Sequence, residues 1–176
     1  MNATVTHLFE GASAAALLPI FADVEAYPGF VPGFKSAKVF ERSASEYKTK
    51  AVMALQIGPV VFEEEVNSVT KVLPAALEVQ SVGKRFIKWF GNVWCFRDVP
   101  GGCRVDFAMA IEFAMLPAMV RPMLAGLAQR QAERIFQAFV ERIEALRIAV
   151  APEGIASGAI DLQCAESAQT TLAPVE

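Results

Sequence analysis

Polar and apolar residues alternate along most of the chain up to Phe113, and a helical period replaces the alternation soon afterwards. From Cys103 to Phe113 the pattern is almost unbroken. Cys103, Val105, Phe107, Met109, Ile111 and Phe113 fall on one face, opposite Arg104, Asp106, Ala108, Ala110 and Glu112. A period of two over that length predicts a long strand with one apolar face. Tyr47–Ile57 repeats the pattern, with Tyr47, Thr49, Ala51, Met53, Leu55 and Ile57 opposite Lys48 and Lys50. Val60–Leu73 follows across a Gly58-Pro59 turn and sets Phe62, Glu64 and Val66 against Val61, Glu63 and Glu65. Further strands are expected over Ala3–Glu10, Phe34–Glu41, Leu77–Val82 and Phe86–Val99, with a bulge or kink at Gly91-Asn92. Pro100-Gly101-Gly102 supplies the last hairpin turn. Consecutive strands joined by short turns predict an antiparallel meander.

Beyond Pro117, Val120, Met123, Leu124, Leu127, Ile135, Phe136, Phe139, Ile143 and Leu146 recur at helical spacing. They predict a final helix of about 28 residues, or about 42 Å, with Pro122 kinking or delaying its start. Methionines at 119 and 123 would let its first turns pack irregularly or against a flexible ligand. A shorter helix is expected over Ala14–Val24, capped by Ser13 and bent at Pro19. Tyr27-Pro-Gly-Phe-Val-Pro-Gly-Phe34 is expected to exclude regular structure. Together these elements predict an α+β fold in which a curved sheet grips a long helix around an apolar cavity.

Composition sharpens this picture. The chain has 176 residues, 54% of them hydrophobic, with a mean hydropathy of +0.37. That length suits one domain with a large core. No apolar run reaches the roughly 18 residues of a membrane helix, and no basic region precedes Ala14–Val24 to make it a signal peptide. A soluble, cytoplasmic protein is expected, hiding more apolar surface than usual. Residues 148–176 are rich in Ala, Gly, Ser, Thr and Gln, and are expected to form a disordered acidic tail after a domain over 1–147. The tail after Arg147 carries four of the 19 acidic residues and no Lys or Arg, leaving 16 basic and 15 acidic residues in the body. Such a body gives no electrostatic footprint for DNA. Cys95, Cys103 and Cys164 lack metal-ligand spacing, and His7 is the only histidine, so no metal site or His-based triad is expected.

Four segments carry a family resemblance. Asp23-Val-Glu-Ala-Tyr-Pro-Gly-Phe-Val-Pro-Gly33, Gly83–Phe96, Cys103-Arg-Val-Asp-Phe107 with Ile111-Glu-Phe113, and Ala138-Phe-Val-Glu-Arg142 stand in that order. They resemble segments of the coenzyme Q-binding, polyketide-cyclase-like branch of the START-like (SRPBCC) superfamily. The resemblance spans about residues 3–146 and implies the helix-grip, Bet v 1-like fold. Two departures stand out. Gly83-Lys84-Arg85-Phe86 replaces a Gly-Pro-Phe with one residue more before Trp94, and Phe62-Glu-Glu-Glu-Val-Asn67 is acidic where the family carries an arginine. The resemblance implies non-catalytic binding of ubiquinone or a similar polyprenyl lipid, in support of respiratory electron transport or quinone biosynthesis in a bacterial cytoplasm. One branch is described as a ribosome association toxin, which would make the ribosomal large subunit a partner. Related helix-grip proteins are cyclases and aromatases with polar groups in the cavity.

A lipid tail needs apolar walls rather than a catalytic constellation, since burial alone contributes roughly 25 cal/mol per Å2. The candidates on the inward strand faces are Met53, Leu55, Phe62, Val66, Trp94, Phe96, Phe107, Met109 and Phe113. Val120, Leu124, Leu127 and Phe136 come from the helix, and Tyr27 and Phe30 from the aromatic connection. Each also fits ordinary core packing. Trp94 stands out because a buried indole N–H requires a partner. The inward faces read as almost wholly apolar, with Glu64 and Glu112 assigned to outer or variable positions, which argues against an enzyme. Lys84, Arg85 and Lys88 beside Phe86, Trp89 and Phe90 suit peripheral contact with an anionic membrane.

Overall fold

The computed structural model describes residues 1–114, 116 and 118–146. The tail expected at 148–176, with Met115 and Pro117, lies outside the described residues, as does the side chain of Met119.

Seven strands form one antiparallel sheet: β1 (Asn2–Glu10), β2 (Phe34–Arg42), β3 (Glu46–Ile57), β4 (Val60–Leu73), β5 (Ala76–Gly83), β6 (Ile87–Val99) and β7 (Gly102–Phe113). Their order is β1-β7-β6-β5-β4-β3-β2, so β2 to β7 form the expected meander and β1 pairs with its last strand. Register follows the turns. Gly58, at φ +59°, lets β3 fold back with Ile57 opposite Val60, which sets Thr49 against Ser68 and Tyr47 against Thr70. The irregularity in β6 is a register shift between Ile87 and Trp89, not the expected bulge at Gly91-Asn92, which pair regularly with Ala110 and Met109. The shift turns both Ile87 and Phe90 toward the cavity.

Between the two edge strands, the chain passes through α1 (Ala14–Ala22) and a 3-10 segment, Val24–Gly29. Ser13 caps α1 by accepting from the Ala16 N–H. The 3-10 segment occupies part of the connection expected to be irregular. Pro28 is tolerated there because such a short helix leaves most of its N–H groups unpaired. Gly33, at φ +90°, brings the connection against β3, where Ala54 donates its N–H to the Gly33 carbonyl at 2.7 Å. A Cβ at position 33 would stand 2.7 Å from the Ala54 carbonyl oxygen, so no other residue fits without moving backbone.

The final helix is shorter than expected. α2 covers Leu127–Leu146, and a 3-10 segment, Ala118–Leu124, precedes it. Pro122 lies within that segment, and Gly126, at φ +67°, separates it from the α-helix. α2 packs across β1 and β7. Phe136 lies between Phe9, Trp94 and Phe107, while Phe139 stacks on Phe21 with centroids 4.2 Å apart. This aromatic cluster ties both helices to the concave face of the sheet. Among the described residues, no helix is long and apolar enough to cross a membrane.

Candidate ligand site

Two cavities lie between the concave face and the helices. The inner one extends from α1 and the Val24–Gly29 segment across β3 to β7, and the outer one lies under the start of α2. Their volumes are about 60 and 50 Å3, and they share Met53, Phe90 and Ile135 as a common wall. Each could hold a few waters, since one needs roughly 10–15 Å3. Neither approaches the roughly 300–1,000 Å3 of a pocket enclosing a drug-sized ligand. A larger guest must therefore move the shared wall, and the unbranched Met53 side chain is the part best able to yield.

Nine of the fifteen candidates line these cavities. Tyr27, Val66, Trp94 and Phe107 face the inner cavity, Leu55, Met109, Phe113 and Leu127 the outer one, and Met53 both. The other six lie elsewhere. Phe96 is fully buried against Phe21, and Phe136 sits in the aromatic cluster. Phe62, Val120 and Leu124 join Ile57, Leu116 and Leu127 in a second, smaller core beside the β3–β4 turn. Phe30 borders a surface groove, with the Arg142 guanidinium 5.6 Å above its ring.

The structure corrects the expectation of almost wholly apolar inward faces. A polar floor crosses β3 to β6: Thr49, Ser68 and Ser81 form one row, and Tyr47, Thr70 and Asn92 lie along the next. Thr49, Thr70, Ser81 and Asn92 are all buried. Ser68 and Ser81 pair through their hydroxyls at 2.7 Å. Tyr47 donates to the Ala22 carbonyl at 2.9 Å, and Tyr27 donates to that of Phe21. These two hydroxyls satisfy carbonyls at the end of α1 and hold the helix over the floor. Burial pushes both phenols above their ordinary pKa, most strongly Tyr27, whose shift is reinforced by Tyr47 and Asp23. Thr49 Oγ1 and Asn92 Oδ1, by contrast, are buried with no hydrogen-bond partner among the described residues.

Glu64 is the second correction. It was expected on an outer or variable face, yet it is 2% exposed and borders the outer cavity. Its carboxylate accepts the backbone N–H groups of Lys84, Arg85 and Phe86, the last two at 2.6 and 2.7 Å. A carboxylate opposite three consecutive N–H groups is satisfied where it lies and fixes the β5–β6 turn. That turn also differs from the expected membrane patch. Trp89 and Phe90 are buried, while Lys84 pairs with Glu65 and Lys88 with Glu112 at 2.8 Å.

The family profile described as "Polyketide cyclase / dehydrase and lipid transport" matches residues 11–140. The chain belongs to this family. Solved structures share the helix-grip fold at low identity. The ZhuI aromatase/cyclase from Streptomyces sp. R1128 superposes with a TM-score of 0.67 at 13% identity, covering 85% of this chain and 98% of that one. A START superfamily protein from Mycobacterium smegmatis gives 0.60 at 21% identity, covering 81% and 98%. A STAR-related lipid transfer protein fragment from Xanthomonas axonopodis gives 0.61 at 10% identity, covering 80% and 84%. No curated protein matches the sequence. Family and fold support ligand binding of a lipid-transport type, in a family whose description also includes cyclases.

Tyr47 and Thr49 were placed on the face shared with Met53, but the floor that they form with Ser68, Thr70, Ser81 and Asn92 was missed because each strand was read alone. Their signal is a small or hydroxylated residue at the inward position of successive strands, aligned by the Gly58 turn.

Proposed function

We infer that this protein binds ubiquinone or a similar polyprenyl lipid without chemically changing it, shielding or delivering it for respiratory electron transport or quinone biosynthesis. The observation that carries the reading is the pair of adjoining cavities, one floored by neutral polar groups and the other walled mainly by apolar side chains. A polar ring with an apolar tail matches that division.

The cyclase reading draws support from the polar floor and from the fold shared with an aromatase/cyclase. The inner cavity's chemistry favours binding. Among the described residues, its lining holds no Asp, Glu, His, Lys or Arg, and both tyrosine hydroxyls are engaged by α1 carbonyls. Phenols whose pKa is raised make poor bases at neutral pH. Glu64 is a carboxylate of the outer cavity, and three N–H groups occupy it.

Lipid extraction and mass spectrometry of the purified protein, with thermal unfolding in added short-tailed ubiquinone, test the reading. The expected outcome is a co-purified quinone and a melting temperature that rises with ligand concentration. Absence of both would overturn it.

A further inference from the structure

We propose that the end of the molecule formed by the β3–β4 turn, the Ala118–Leu124 segment and the β5–β6 turn docks on a lipid bilayer. Only the purpose assigned to this surface, loading the outer cavity, rests on the lipid reading above.

Three observations lead to it. First, the three segments converge and leave apolar side chains in solvent. Val60, Phe86 and Leu124 all pack on the second, smaller core. Met123 lies across Gly58, where any side chain would collide with its sulfur. Around this junction Pro59 and Pro122 are exposed, as are Val61 at 58% and Met123 at 40%. A lone exposed apolar residue is ordinary, but a cluster drawn from converging segments marks a contact surface. Second, this end adjoins the outer cavity. Leu55, Phe113 and Leu127 pack with the second core and also line that cavity. A lipid moving from a bilayer at this end into the cavity would therefore pass mainly apolar side chains.

Third, the charge beside the cluster complements lipid phosphate. Lys84 is paired with Glu65, whereas Arg85 is exposed and has no ion pair among the described residues. Its guanidinium stands 4.9 Å from the centroid of the Phe86 ring. An arginine over an aromatic ring suits the headgroup level of a bilayer. Glu63, exposed two residues beyond Val61, offsets part of that charge. Apolar insertion therefore supplies most of the binding, and attraction to anionic lipid the smaller part.

Flotation with quinone-free vesicles of phosphatidylcholine, with and without added phosphatidylglycerol, tests the proposal. Wild-type protein should float with both, and more with the anionic vesicles. Met123→Glu and Val61→Glu should each lower the partition coefficient about tenfold, because each withdraws apolar surface from the bilayer and adds a charge. Arg85→Gln should remove most of the gain from phosphatidylglycerol and leave binding to neutral vesicles nearly unchanged. Phe40→Glu, at a residue 59% exposed on β2, should float like wild type. No flotation with either vesicle, no loss in Met123→Glu, or an equal loss in Phe40→Glu would overturn the proposal, while a co-purified quinone would still support the ligand reading. Flotation that depends on Met123 and Val61, with no co-purified quinone and no quinone-dependent melting shift, would uphold the surface and remove the ligand reading. Analytical ultracentrifugation of the protein alone tests the other occupant. A dimer that Met123→Glu dissociates, in a protein that does not float, would give this end to a second copy and overturn the proposal. Circular dichroism and thermal unfolding establish that each variant is folded.

Discussion

The inner and outer cavities share Met53, Phe90 and Ile135, yet they treat buried polar groups in opposite ways. The outer cavity has a carboxylate, Glu64, whose oxygens are occupied by three backbone N–H groups. Among the described residues, no charged side chain lines the inner cavity, but Thr49 and Asn92 each keep a polar atom unpaired. A satisfied buried group stabilises the fold, whereas an unsatisfied one costs stability until something binds it. The contrast marks Glu64 as architecture and leaves the inner floor as the less satisfied of the two surfaces, although the carboxylate is the more conspicuous group chemically.

The largest test removes the satisfied group. Glu64→Ala would leave three N–H groups at the β5–β6 turn without their acceptor. Each unpaired buried donor costs about 1–3 kcal/mol, so a net loss of about 3 kcal/mol is expected after partial hydration. Urea unfolding measures it. A loss below about 1 kcal/mol would mean that the carboxylate does not organise the turn, and the division between the cavities would weaken.

Next comes the shared wall. Met53→Ala should join the cavities and cost about 2 kcal/mol, at the lower end for a truncated core methionine because Met53 is only partly buried. A tailed quinone should recover more of that loss than the tail-free ring, since only the tail would extend past position 53. Equal recovery by the two ligands in thermal unfolding would show that the cavities are separate compartments.

Removing the unsatisfied groups should have the opposite sign from removing Glu64. Thr49→Val and Asn92→Leu delete unpaired buried atoms while keeping similar shapes, so the ligand-free protein should become more stable by up to about 1 kcal/mol in each case. Destabilisation by either substitution, measured by urea unfolding, would show that the native floor already satisfies that side chain.

Legibility in the sequence divides along the same line. The strands and the apolar face of β7 were legible because alternation depends only on the pleat, and the meander because its turns are short. The extent of α2 was not. Periodicity continues through Val120 and Leu124, but Pro122 and Gly126 confine that stretch to a 3-10 turn and a break. Most residues that share an inward face were grouped together, with Glu64 the exception, yet periodicity cannot separate a cavity wall from a filled core. Phe96 and Trp94 lie on the same face of β6, and only Trp94 borders the cavity. The polar floor and the anchoring of Glu64 depend on contacts across strands and turns, which follow from register rather than from any one strand's pattern.

The smallest effect distinguishes satisfied from unsatisfied groups within the inner cavity itself. Tyr27 lines it but donates to the Phe21 carbonyl, and burial, followed by Tyr47 and Asp23, raises its pKa. The unfolded chain would ionise this phenol near the ordinary value of 10.0, while the folded protein keeps it protonated to higher pH. Folding therefore retains a proton that the unfolded chain releases. The contribution of Tyr27 is complete below pH 10 and declines as pH rises above it. Tyr27→Phe should cost about 1 kcal/mol at pH 8 through the lost hydrogen bond, and the difference from wild type should narrow above pH 10. Urea unfolding of both proteins at pH 8 and pH 11 makes the comparison. A gap that stays constant would show that Tyr27 titrates alike in the folded and unfolded chains. A narrowing gap would place Tyr27 with Glu64 among the groups that hold the site together.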